Sequence, residues 1–305
     1  MAFVTSVRMA EFRNRDEPEA APGSRARLWK FVAAHRRILV LTGAGCSTGS
    51  GIPAYRDGDG QWTRRRPILY QEFLGSAKMQ RRYWARSYFG WPVMQAARPN
   101  GAHRALVALE RAARLSAVVT QNVDGLHRQA GQASLVELHG SLAEVVCLAC
   151  GERSGRAAVQ CRLKALNPGW HPGVAGFNPD GDAELDEAAY PGFEVAGCAT
   201  CGGVLKPDVV FFGESVPATR VEAVRAALAA SDAVLVAGTS LAVFSGYRIV
   251  REAAAMGLPV AAVNNGRTRA DGLLAFKVAG DCGQVLSAAV RGLSAAADAC
   301  GPTPA

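Results

Sequence analysis

The chain has 305 residues, of which 49% are hydrophobic and 20% are charged, and its net charge is +8. This composition is typical of a globular, soluble protein with enough material for one large domain or two small ones. No apolar run approaches the ~20 residues that a membrane-spanning helix needs, so we expect no membrane partner. Arginine carries most of the positive charge, but no stretch interleaves basic and aromatic residues, which argues against a nucleic-acid surface.

Residues 1–24 carry four acidic side chains and no apolar signal core. We predict that they form a flexible tail rather than a secretory or organelle presequence. The chain has eight cysteines, and four of them fall in two Cys-x-x-Cys pairs. In an intracellular chain such pairs bind metal more often than they form disulfides, and we expect a cytoplasmic protein.

Short β-prone runs alternate with alanine-rich helical runs along most of the chain. The strands are apolar on both faces, a pattern typical of a parallel sheet that helices cover on both sides. We predict strands over residues 38–42, 117–120, 233–237, 260–264 and 276–278. We predict helices over residues 25–35, 102–114, 217–231, 246–256 and 283–297. The predicted fold class is α/β, a Rossmann-like parallel sheet with helices on both faces plus a smaller zinc-ribbon and helical module.

Two segments interrupt this alternation. Residues 63–100 contain an aromatic- and arginine-rich helical piece, and residues 140–206 are loop-rich and contain the cysteine pairs. We predict that these two insertions form the small domain. The Rossmann-like domain is then assembled from residues 25–62, 101–139 and 207–305.

A glycine-rich turn, Gly43-Ala-Gly45, directly follows the first predicted strand. Glycines let a backbone approach a pyrophosphate closely, and exposed N–H groups there supply positive potential. A hydride-transfer enzyme would continue into a helix and a second strand that ends in an acidic residue about 20 residues later. Residues 56–67 are loop-like instead. The sequence therefore predicts a dinucleotide site and disfavours an NAD dehydrogenase.

Polar or glycine-rich turns follow all five predicted strands, beginning at Gly43, Gln121, Gly238, Asn264 and Gly280. Because ligands of parallel sheets bind at the carboxyl ends of the strands, we expect these turns to line one crevice. The side chains of residues 121–124 could hydrogen-bond a ligand carboxamide and ribose. Helix capping by the Asn or Asp of this turn is the alternative interpretation.

The two cysteine pairs are Cys147/Cys150 and Cys198/Cys201, and a glycine follows each pair. This is the zinc-ribbon arrangement, although the spacer between the pairs is longer than in compact ribbons. Four thiolates fill a tetrahedral zinc ion and leave no open position, so we predict a structural rather than a catalytic metal. Buried cysteines at chance spacing are the alternative.

His139 lies at the junction between the predicted sheet and the cysteine-bearing insertion. A cleft should open there, and a solvated imidazole with a pKa of about 6.5 could act as a general base at neutral pH. An ordinary core or surface histidine is the alternative.

Residues 206–214 are β-prone and bounded by proline and glycine. Such a run is either a core strand or an edge strand that takes up an extended peptide by β-augmentation.

Together these segments closely resemble the sirtuins, a family of NAD-dependent protein lysine deacylases. The matching segments run in family order over residues 25–290. They are residues 43–56, 120–127, 138–140, the two cysteine pairs, 206–214, 238–240 and 264–266. Residues 65–68, 82–86, 90–92, 167–168 and 179–182 resemble the class II branch, which includes animal mitochondrial sirtuin four and bacterial class II deacylases.

This resemblance implies that NAD lies across the crevice and contacts three groups of residues. Its phosphates would be held by Gly43, Ala44, Gly45 and Ser47. The nicotinamide ribose would be surrounded by Tyr55, Arg56, Gln121, Asn122 and Asp124. The adenosine half would be held by Gly238, Ser240, Asn264 and Gly266, with Cys282 near adenine. The remaining implied contacts are Gln61, Trp62, Val123, Thr239 and Asn265.

The implied reaction removes an acyl group from a protein lysine. The acyl oxygen attacks C1′ of the nicotinamide ribose and nicotinamide leaves. His139 then takes a proton from the ribose hydroxyls, so that the 2′-oxygen attacks the imidate carbon, and Asn122 and Asp124 complete the implied catalytic set. Water finishes the reaction and gives free lysine and 2′-O-acyl-ADP-ribose.

One departure from the family pattern lies in the glycine-rich loop. The common Asp-Phe-Arg is Ala54-Tyr55-Arg56 in this chain, so a carboxylate often present there is missing. The ring of Tyr55 could still shield the oxocarbenium-like centre from water.

Tyr83 and Arg86 bear on which acyl groups are accepted. Their spacing is the one by which desuccinylating sirtuins hold an acidic acyl chain. One helical turn places both side chains on the same face, where they could bind a carboxylate. We therefore hypothesise that acidic, branched or long acyl groups are accepted. Helix packing by Tyr83 with a solvated Arg86 is the alternative. The predicted substrate contacts also include Val209, Phe211 and Phe212.

Two other functions stay open from the sequence. A protein mono-ADP-ribosyltransferase would use the same NAD site with a different acceptor. A zinc-ribbon nucleic-acid-binding protein would account for the charge and the cysteine pairs, but it leaves His139 and residues 121–124 unexplained.

Overall fold

The structure is a computed structural model, and it describes residues 22–55, 67–178 and 180–298. Three predicted cofactor contacts, Arg56, Gln61 and Trp62, lie outside the described residues. The first helix begins at Pro22, so the last three residues of the predicted tail belong to a helix.

Strands and helices alternate as the sequence predicts. The strands are β1 (Ile38–Thr42), β2 (Leu115–Thr120), β3 (Leu135–Glu137), β4 (Gly140–Cys147), β5 (Arg153–Gly155), β6 (Val174–Phe177), β7 (Ala183–Leu185), β8 (Leu205–Val209), β9 (Ala233–Ala237), β10 (Val260–Val263) and β11 (Phe276–Val278). The helices are α1 (Pro22–Ala34), α2 (Tyr70–Gly75), α3 (Ala77–Ala96), α4 (Gly101–Arg111), α5 (Leu126–Gln129), α6 (Arg156–Leu166), α7 (Ala218–Ala229), α8 (Phe244–Ala255) and α9 (Cys282–Asp298). None of these described helices is long and apolar enough to cross a membrane.

The central sheet has six parallel strands in the order β11-β10-β9-β1-β2-β3. From β1 the chain continues to β2 and β3 on one side, and it later returns to β9 on the other side of β1. The strand order therefore reverses between β1 and β9. In open α/β sheets such a switch point is where a ligand crevice forms, outside the carboxyl ends of the strands.

Every residue of β1 and β9 is buried, because both faces of the sheet are covered. On one face, Leu28 of α1, Leu106 of α4 and Leu286 of α9 belong to one apolar cluster. On the other face, Leu228 of α7 and Ile249 of α8 belong to a second cluster. The Rossmann-like fold class predicted from the apolar strands is confirmed.

A second body of structure is built from an antiparallel sheet in the order β5-β4-β8, the β6–β7 hairpin and the helices α2, α3 and α6. Its apolar cluster includes Phe73, Trp84, Leu163, Phe193 and Phe211. Strand β8 pairs with β4, so residues 207–209 belong to this small sheet. The sequence predicts instead that they belong to the Rossmann-like segment that starts at residue 207, because the pairing of β8 with β4 has no local signal.

Candidate functional site

The glycine-rich turn after β1 packs directly against the turn after β9. The N–H groups of Gly43 and Gly45 donate to the carbonyls of Ala237 and Gly238, at 3.1 and 2.8 Å. A Cβ at Gly43 would lie 2.6 Å from the Cβ of Thr239, and a Cβ at Gly45 would lie 2.9 Å from the Cα of Gly238. These glycines are therefore required for two loops to meet at the switch point, in addition to any approach of a phosphate.

The turn after β2 is tied to the glycine-rich turn by side-chain hydrogen bonds. The Asn122 amide nitrogen donates to the Gly43 carbonyl and to the Ser47 hydroxyl, both at 3.0 Å. The Ser47 hydroxyl in turn donates to the Asp124 carboxylate at 2.6 Å. The other Asp124 oxygen accepts from the N–H of Leu126, the first residue of α5, at 2.9 Å, so Asp124 joins the glycine-rich turn to the start of this helix.

Gln121 links the same turn to the loop after β9. Its amide nitrogen donates to the Thr239 hydroxyl at 3.0 Å and to the Thr42 carbonyl at 3.3 Å. The carboxyl ends of β1, β2 and β9 therefore form one hydrogen-bonded unit. Val123 is half-buried and packs against the cluster of the small body, which places this turn at the boundary between the two bodies.

His139 follows β3 and lies at the same edge of the sheet. Its Nδ1 is 2.9 Å from the Gln121 carbonyl oxygen, and its Nε2 is 2.7 Å from the Ser245 hydroxyl. A carbonyl oxygen only accepts hydrogen bonds, so we assign the proton to Nδ1 and the lone pair to Nε2. Burial, with a smaller contribution from the charge of Arg220, lowers the pKa of His139 to about 4, although the hydrogen bond to the Gln121 carbonyl opposes this shift. The ring is therefore neutral at pH 7, with a lower pKa than that of a solvated imidazole.

The residues assigned to the adenosine half occupy the ends of β9 and β10. The N–H of Gly238 donates to the Val263 carbonyl at 2.9 Å, and the Asn264 side-chain amide donates to the Gly266 carbonyl at 3.2 Å. The Ser240 carbonyl accepts from the N–H of Arg269 at 2.8 Å. All predicted cofactor residues among the described ones therefore lie in turns of one sheet edge or next to it.

Cys282 connects this edge to α9. Its thiol lies 3.7 Å from the Val263 carbonyl oxygen, and it belongs to the same buried cluster as Cys46 of the glycine-rich turn. Cys282 and burial together raise the pKa of the Cys46 thiol well above its usual value. A cleft of about 520 Å³ opens beside these residues, between Asn100 at the start of α4 and Arg291 of α9.

The four paired cysteines form one cluster in which the sulfur atoms all lie within 4.8 Å of one another. The Sγ atoms of Cys147 and Cys201 are 3.5 Å apart, and those of Cys150 and Cys198 are 3.8 Å apart. A tetrahedral ion with Zn–S bonds of ~2.3 Å requires sulfur separations of ~3.8 Å, so the donor set fits zinc.

Both cysteine turns also have the backbone that a zinc knuckle needs. The N–H groups of Ala149 and Thr200 donate to the sulfurs of the first cysteine in each pair, both at 3.4 Å. Gly151 and Gly202 have φ values of 74° and 72°, a region that favours glycine. Four thiolate donors leave no position for a substrate, so the cluster suits a structural zinc ion that joins the end of β4 to the turn before β8.

Tyr83 and Arg86 lie on α3 and are both buried. The Arg86 Nε donates to the Ala183 carbonyl at 2.9 Å, and its Nη1 lies 3.5 Å from the Asp182 carboxylate. The Tyr83 ring packs against Phe73 and Phe211, with centroids 5.7 and 5.3 Å away. Arg86 is therefore buried and paired with a carboxylate. The alternative interpretation, in which Arg86 is solvated, is wrong.

The other predicted substrate contacts lie at the end of β8. Val209 pairs with Gly140 across the small sheet, and the next N–H along the chain, that of Val210, donates to the His139 carbonyl at 2.8 Å. Among the described residues, β8 pairs with no second strand and is an edge strand of its sheet. Phe212 faces Tyr55 of the loop after β1, with ring centroids 6.3 Å apart. The edge strand, His139 and Tyr55 thus border the same region.

Sequence reasoning missed two features of the site. Ser245 contacts His139 directly, yet a single serine ahead of a helix predicted from residue 246 gives no signal of this contact. The turn that contains Asp180 and Asp182 also acts on Tyr55: burial raises the pKa of the Tyr55 phenol, and the charges of both carboxylates raise it further. From the sequence, this turn is only a feature of the class II branch.

A glycine-rich turn at the carboxyl edge of a parallel sheet, with a neutral imidazole beside it, is the arrangement of a nucleotide-binding enzyme with a Rossmann-like fold. The profile of the Sir2 family matches residues 43–245. Over 260 residues the chain is 54% identical to the NAD-dependent protein deacetylase of Xanthomonas campestris pv. campestris (strain 8004), which covers 85% of this chain and 89% of the relative. The chain belongs to the Sir2 family.

Two further comparisons agree with this membership. The NAD-dependent protein deacetylase 1 of Corynebacterium efficiens (strain DSM 44549 / YS-314 / AJ 12310 / JCM 11189 / NBRC 100395) is 55% identical over 239 residues, 77% of this chain and 85% of the relative. A solved structure of Sir2 with a p53 peptide and NAD+ is similar with a TM-score of 0.69 at 26% identity. The match covers 89% of this chain and 98% of that one.

Proposed function

We propose that this protein is an NAD-dependent protein lysine deacylase in which His139 is the general base. The observation that carries the proposal is the neutral His139 ring, held by the Gln121 carbonyl at the edge where the turns after β1, β2 and β9 meet. The names of the Xanthomonas and Corynebacterium relatives support NAD as the co-substrate and acetylated protein as the substrate.

The proposed NAD site uses the cofactor residues that the sequence assigned. The turn that contains Gly43, Ala44, Gly45 and Ser47 holds the phosphates, and Asn122 and Asp124 keep that turn in place through Ser47. The side chains at the ends of β9 and β10 take the adenosine half. Bound NAD supplies the leaving group, because a cationic nicotinamide departs from the ribose far more readily than an amine departs from an amide.

His139 acts after nicotinamide has left. Its Nε2 lone pair takes a proton from a ribose hydroxyl, and the ribose oxygen then attacks the carbon of the acyl group. A ring with a pKa of about 4 stays unprotonated at pH 7, although a pKa closer to the working pH would give proton transfer a greater driving force. The ring of Tyr55, which lies close to Phe212, shields the reacting ribose carbon from water.

The peptide binds along the edge of β8. Its backbone adds a strand to the small sheet, and the acyl-lysine side chain enters between Phe212 and Tyr55 toward His139. The cleft then lies between a Rossmann-like domain and a small domain, which is the domain division we propose. The unpaired edge of β8 among the described residues supports this binding mode, as does the hydrogen bond from the Val210 N–H, just after β8, to the His139 carbonyl.

Acetyl is the acyl group we propose as the main substrate. Arg86 already contacts the buried Asp182, so its guanidinium is engaged by a carboxyl group of the chain itself and is not free to bind an acidic acyl chain. These contacts weigh against the acidic-acyl hypothesis for Tyr83 and Arg86. They leave long neutral acyl groups as secondary candidates.

We assign the protein to the class II branch and to the cytoplasm. The branch assignment rests on the sequence of residues 82–92 and 179–182. These two segments also meet in the structure, where the Gly181 carbonyl packs against Gly90 of α3. The cytoplasmic location is proposed because four zinc-binding cysteines must stay reduced, and the cytoplasm keeps thiols reduced.

A panel of acyl-lysine peptides with NAD, analysed by mass spectrometry, tests the function. We expect equal amounts of deacylated peptide, nicotinamide and O-acyl-ADP-ribose. His139→Ala should lower deacylation by roughly 10²- to 10⁴-fold, whereas His171→Ala, which removes an exposed imidazole, should leave it unchanged. ADP-ribose attached to protein without deacylated peptide would instead establish a mono-ADP-ribosyltransferase, and no NAD consumption would reject both functions.

A further inference from the structure

Ser245 is the second residue of α8, and its hydroxyl contacts the atom that we propose as the base. The distance from Ser245 Oγ to His139 Nε2 is 2.7 Å, at the short end of hydrogen-bond lengths. Because Nδ1 carries the proton that goes to the Gln121 carbonyl, the serine must be the donor in this bond. The neutral ring is therefore held at both nitrogens.

The start of α8 is fitted closely against Gln121, which also holds the other side of the ring. A Cβ at Gly246 would lie 2.4 Å from the Gln121 side-chain oxygen, so glycine is needed for the helix to approach this far. The residue before the helix, Val243, makes no side-chain cap, and the Ser245 hydroxyl is directed at the imidazole. Gln121, Gly246 and Ser245 thus fix the ring between one backbone carbonyl and one hydroxyl.

We propose that Ser245 is a positioning residue for the deacylation step, an inference that rests on the proposed function. Its hydroxyl orients the His139 ring so that the Nε2 lone pair points to where a ribose hydroxyl can bind. The ribose hydroxyl takes over this hydrogen bond when the acylated intermediate forms. Once the proton has moved to Nε2, the Ser245 oxygen can accept a hydrogen bond from the imidazolium, because a hydroxyl both donates and accepts.

This role makes a step-specific prediction. The departure of nicotinamide precedes the need for a base, so nicotinamide exchange does not depend on the orientation of His139. Deacylation does depend on it. Loss of a single hydrogen bond that orients a neutral base should lower the rate of deacylation by about 3- to 10-fold.

The test uses the full chain with an acetyl-lysine peptide and NAD. Ser245→Ala should lower kcat for O-acyl-ADP-ribose formation by about 3- to 10-fold and leave labelled-nicotinamide exchange and the KM for NAD unchanged. Ser245→Thr keeps a hydroxyl and should restore most of the lost kcat. Ser116→Ala is the matched control, because it removes a serine–serine hydrogen bond of 2.7 Å near the start of β2, away from the site.

Three results would overturn the inference without affecting the proposed function. Ser245→Ala could leave kcat unchanged, it could lower exchange and deacylation by the same factor, or Ser245→Thr could behave like Ser245→Ala. Absence of nicotinamide exchange in the unmodified protein would instead reject the proposed function itself.

Discussion

The hydroxyl of Ser47 donates to the carboxylate of Asp124 across 2.6 Å, and this bond joins the turn after β1 to the turn after β2. Asn122 donates to the same hydroxyl at 3.0 Å, so Ser47 is both acceptor and donor. A hydrogen bond to a carboxylate is worth about 1.5–3 kcal/mol. Two loops that have no covalent connection nearby are thereby held in one arrangement before any ligand binds.

Ser47→Ala should therefore weaken NAD binding more than it lowers overall stability. The substitution leaves the Asp124 carboxylate with one partner fewer in a half-buried site, and the glycine-rich turn gains freedom. We expect the KM for NAD to rise by about tenfold, which corresponds to ~1.4 kcal/mol. Steady-state kinetics over a range of NAD concentrations provides the measurement. An unchanged KM would mean that the turn keeps its arrangement without this bond.

The cysteine cluster should bind one zinc ion per chain, and the fold of the small body should depend on it. Cys198→Ser removes one of four donors whose sulfurs lie within 4.8 Å of one another. We expect loss of bound zinc, measured by elemental analysis, together with a lower melting temperature. Cys161→Ser is the matched control, because this cysteine is exposed and lies outside the cluster. Equal zinc content in both variants would contradict the assignment.

The sheet could be predicted from the sequence because its strands are apolar on both faces and its helices are long. Ile38–Thr42, Ala233–Ala237 and Phe276–Val278 were predicted with their observed ends. The strand Leu135–Glu137 was not predicted, because its three residues, all half-buried, are too short a run for strand alternation to stand out. The strand Leu205–Val209 pairs with a segment some sixty residues earlier in the chain, and no local pattern records such a partner.

The site could be predicted to the level of residue groups but not of contacts. The glycine-rich turn and the residues around Asn122 follow from their place after predicted strands, and His139 follows from its place at the junction with the cysteine-bearing insertion. The bond between Ser245 and His139 depends on how closely α8 approaches the sheet, which is set by packing at Gly246. The pairing of Arg86 with Asp182 likewise joins α3 to a turn almost a hundred residues later.

Two buried histidines beneath the site should make the protein acid-sensitive. The rings of His103 and His127 lie 4.6 Å apart, and burial lowers their pKa values to about 4 and about 3. Thr42 bonds to Nε2 of His127 at 3.0 Å, whereas Nδ1 of His127 and Nε2 of His103 have no hydrogen-bond partner among the described residues. Both rings are therefore neutral in the folded protein under ordinary conditions.

Unfolding exposes these rings and returns their pKa values to about 6.5. Below that pH the unfolded chain binds protons that the folded chain does not, so stability falls as the pH decreases toward 4. Each histidine contributes a slope of up to about 1.4 kcal/mol per pH unit. Urea unfolding at pH 7, 6 and 5 measures this slope. His127→Gln should reduce the slope by about one proton relative to the unsubstituted chain, and an equal slope in the two proteins would contradict the burial of the His127 ring.

Arg86→Ala tests whether this arginine selects acidic acyl groups or holds the small body together. The substitution leaves the Asp182 carboxylate without its ion-pair partner in a site where burial and Asp180 already raise its pKa. Breaking a buried pair from one side costs about 3–5 kcal/mol. We expect a markedly lower melting temperature and an equal loss of activity toward acetyl, succinyl and glutaryl peptides at a temperature where the variant is folded.

The double substitution Arg86→Met with Asp182→Asn is the companion variant. It removes both charges at once and should recover much of the stability that Arg86→Ala loses, because no unpaired carboxylate stays buried. Its activity toward acetyl-lysine should then exceed that of Arg86→Ala. A selective loss of succinyl and glutaryl removal in either variant would show instead that Arg86 binds an acidic acyl chain, in spite of its contact with Asp182.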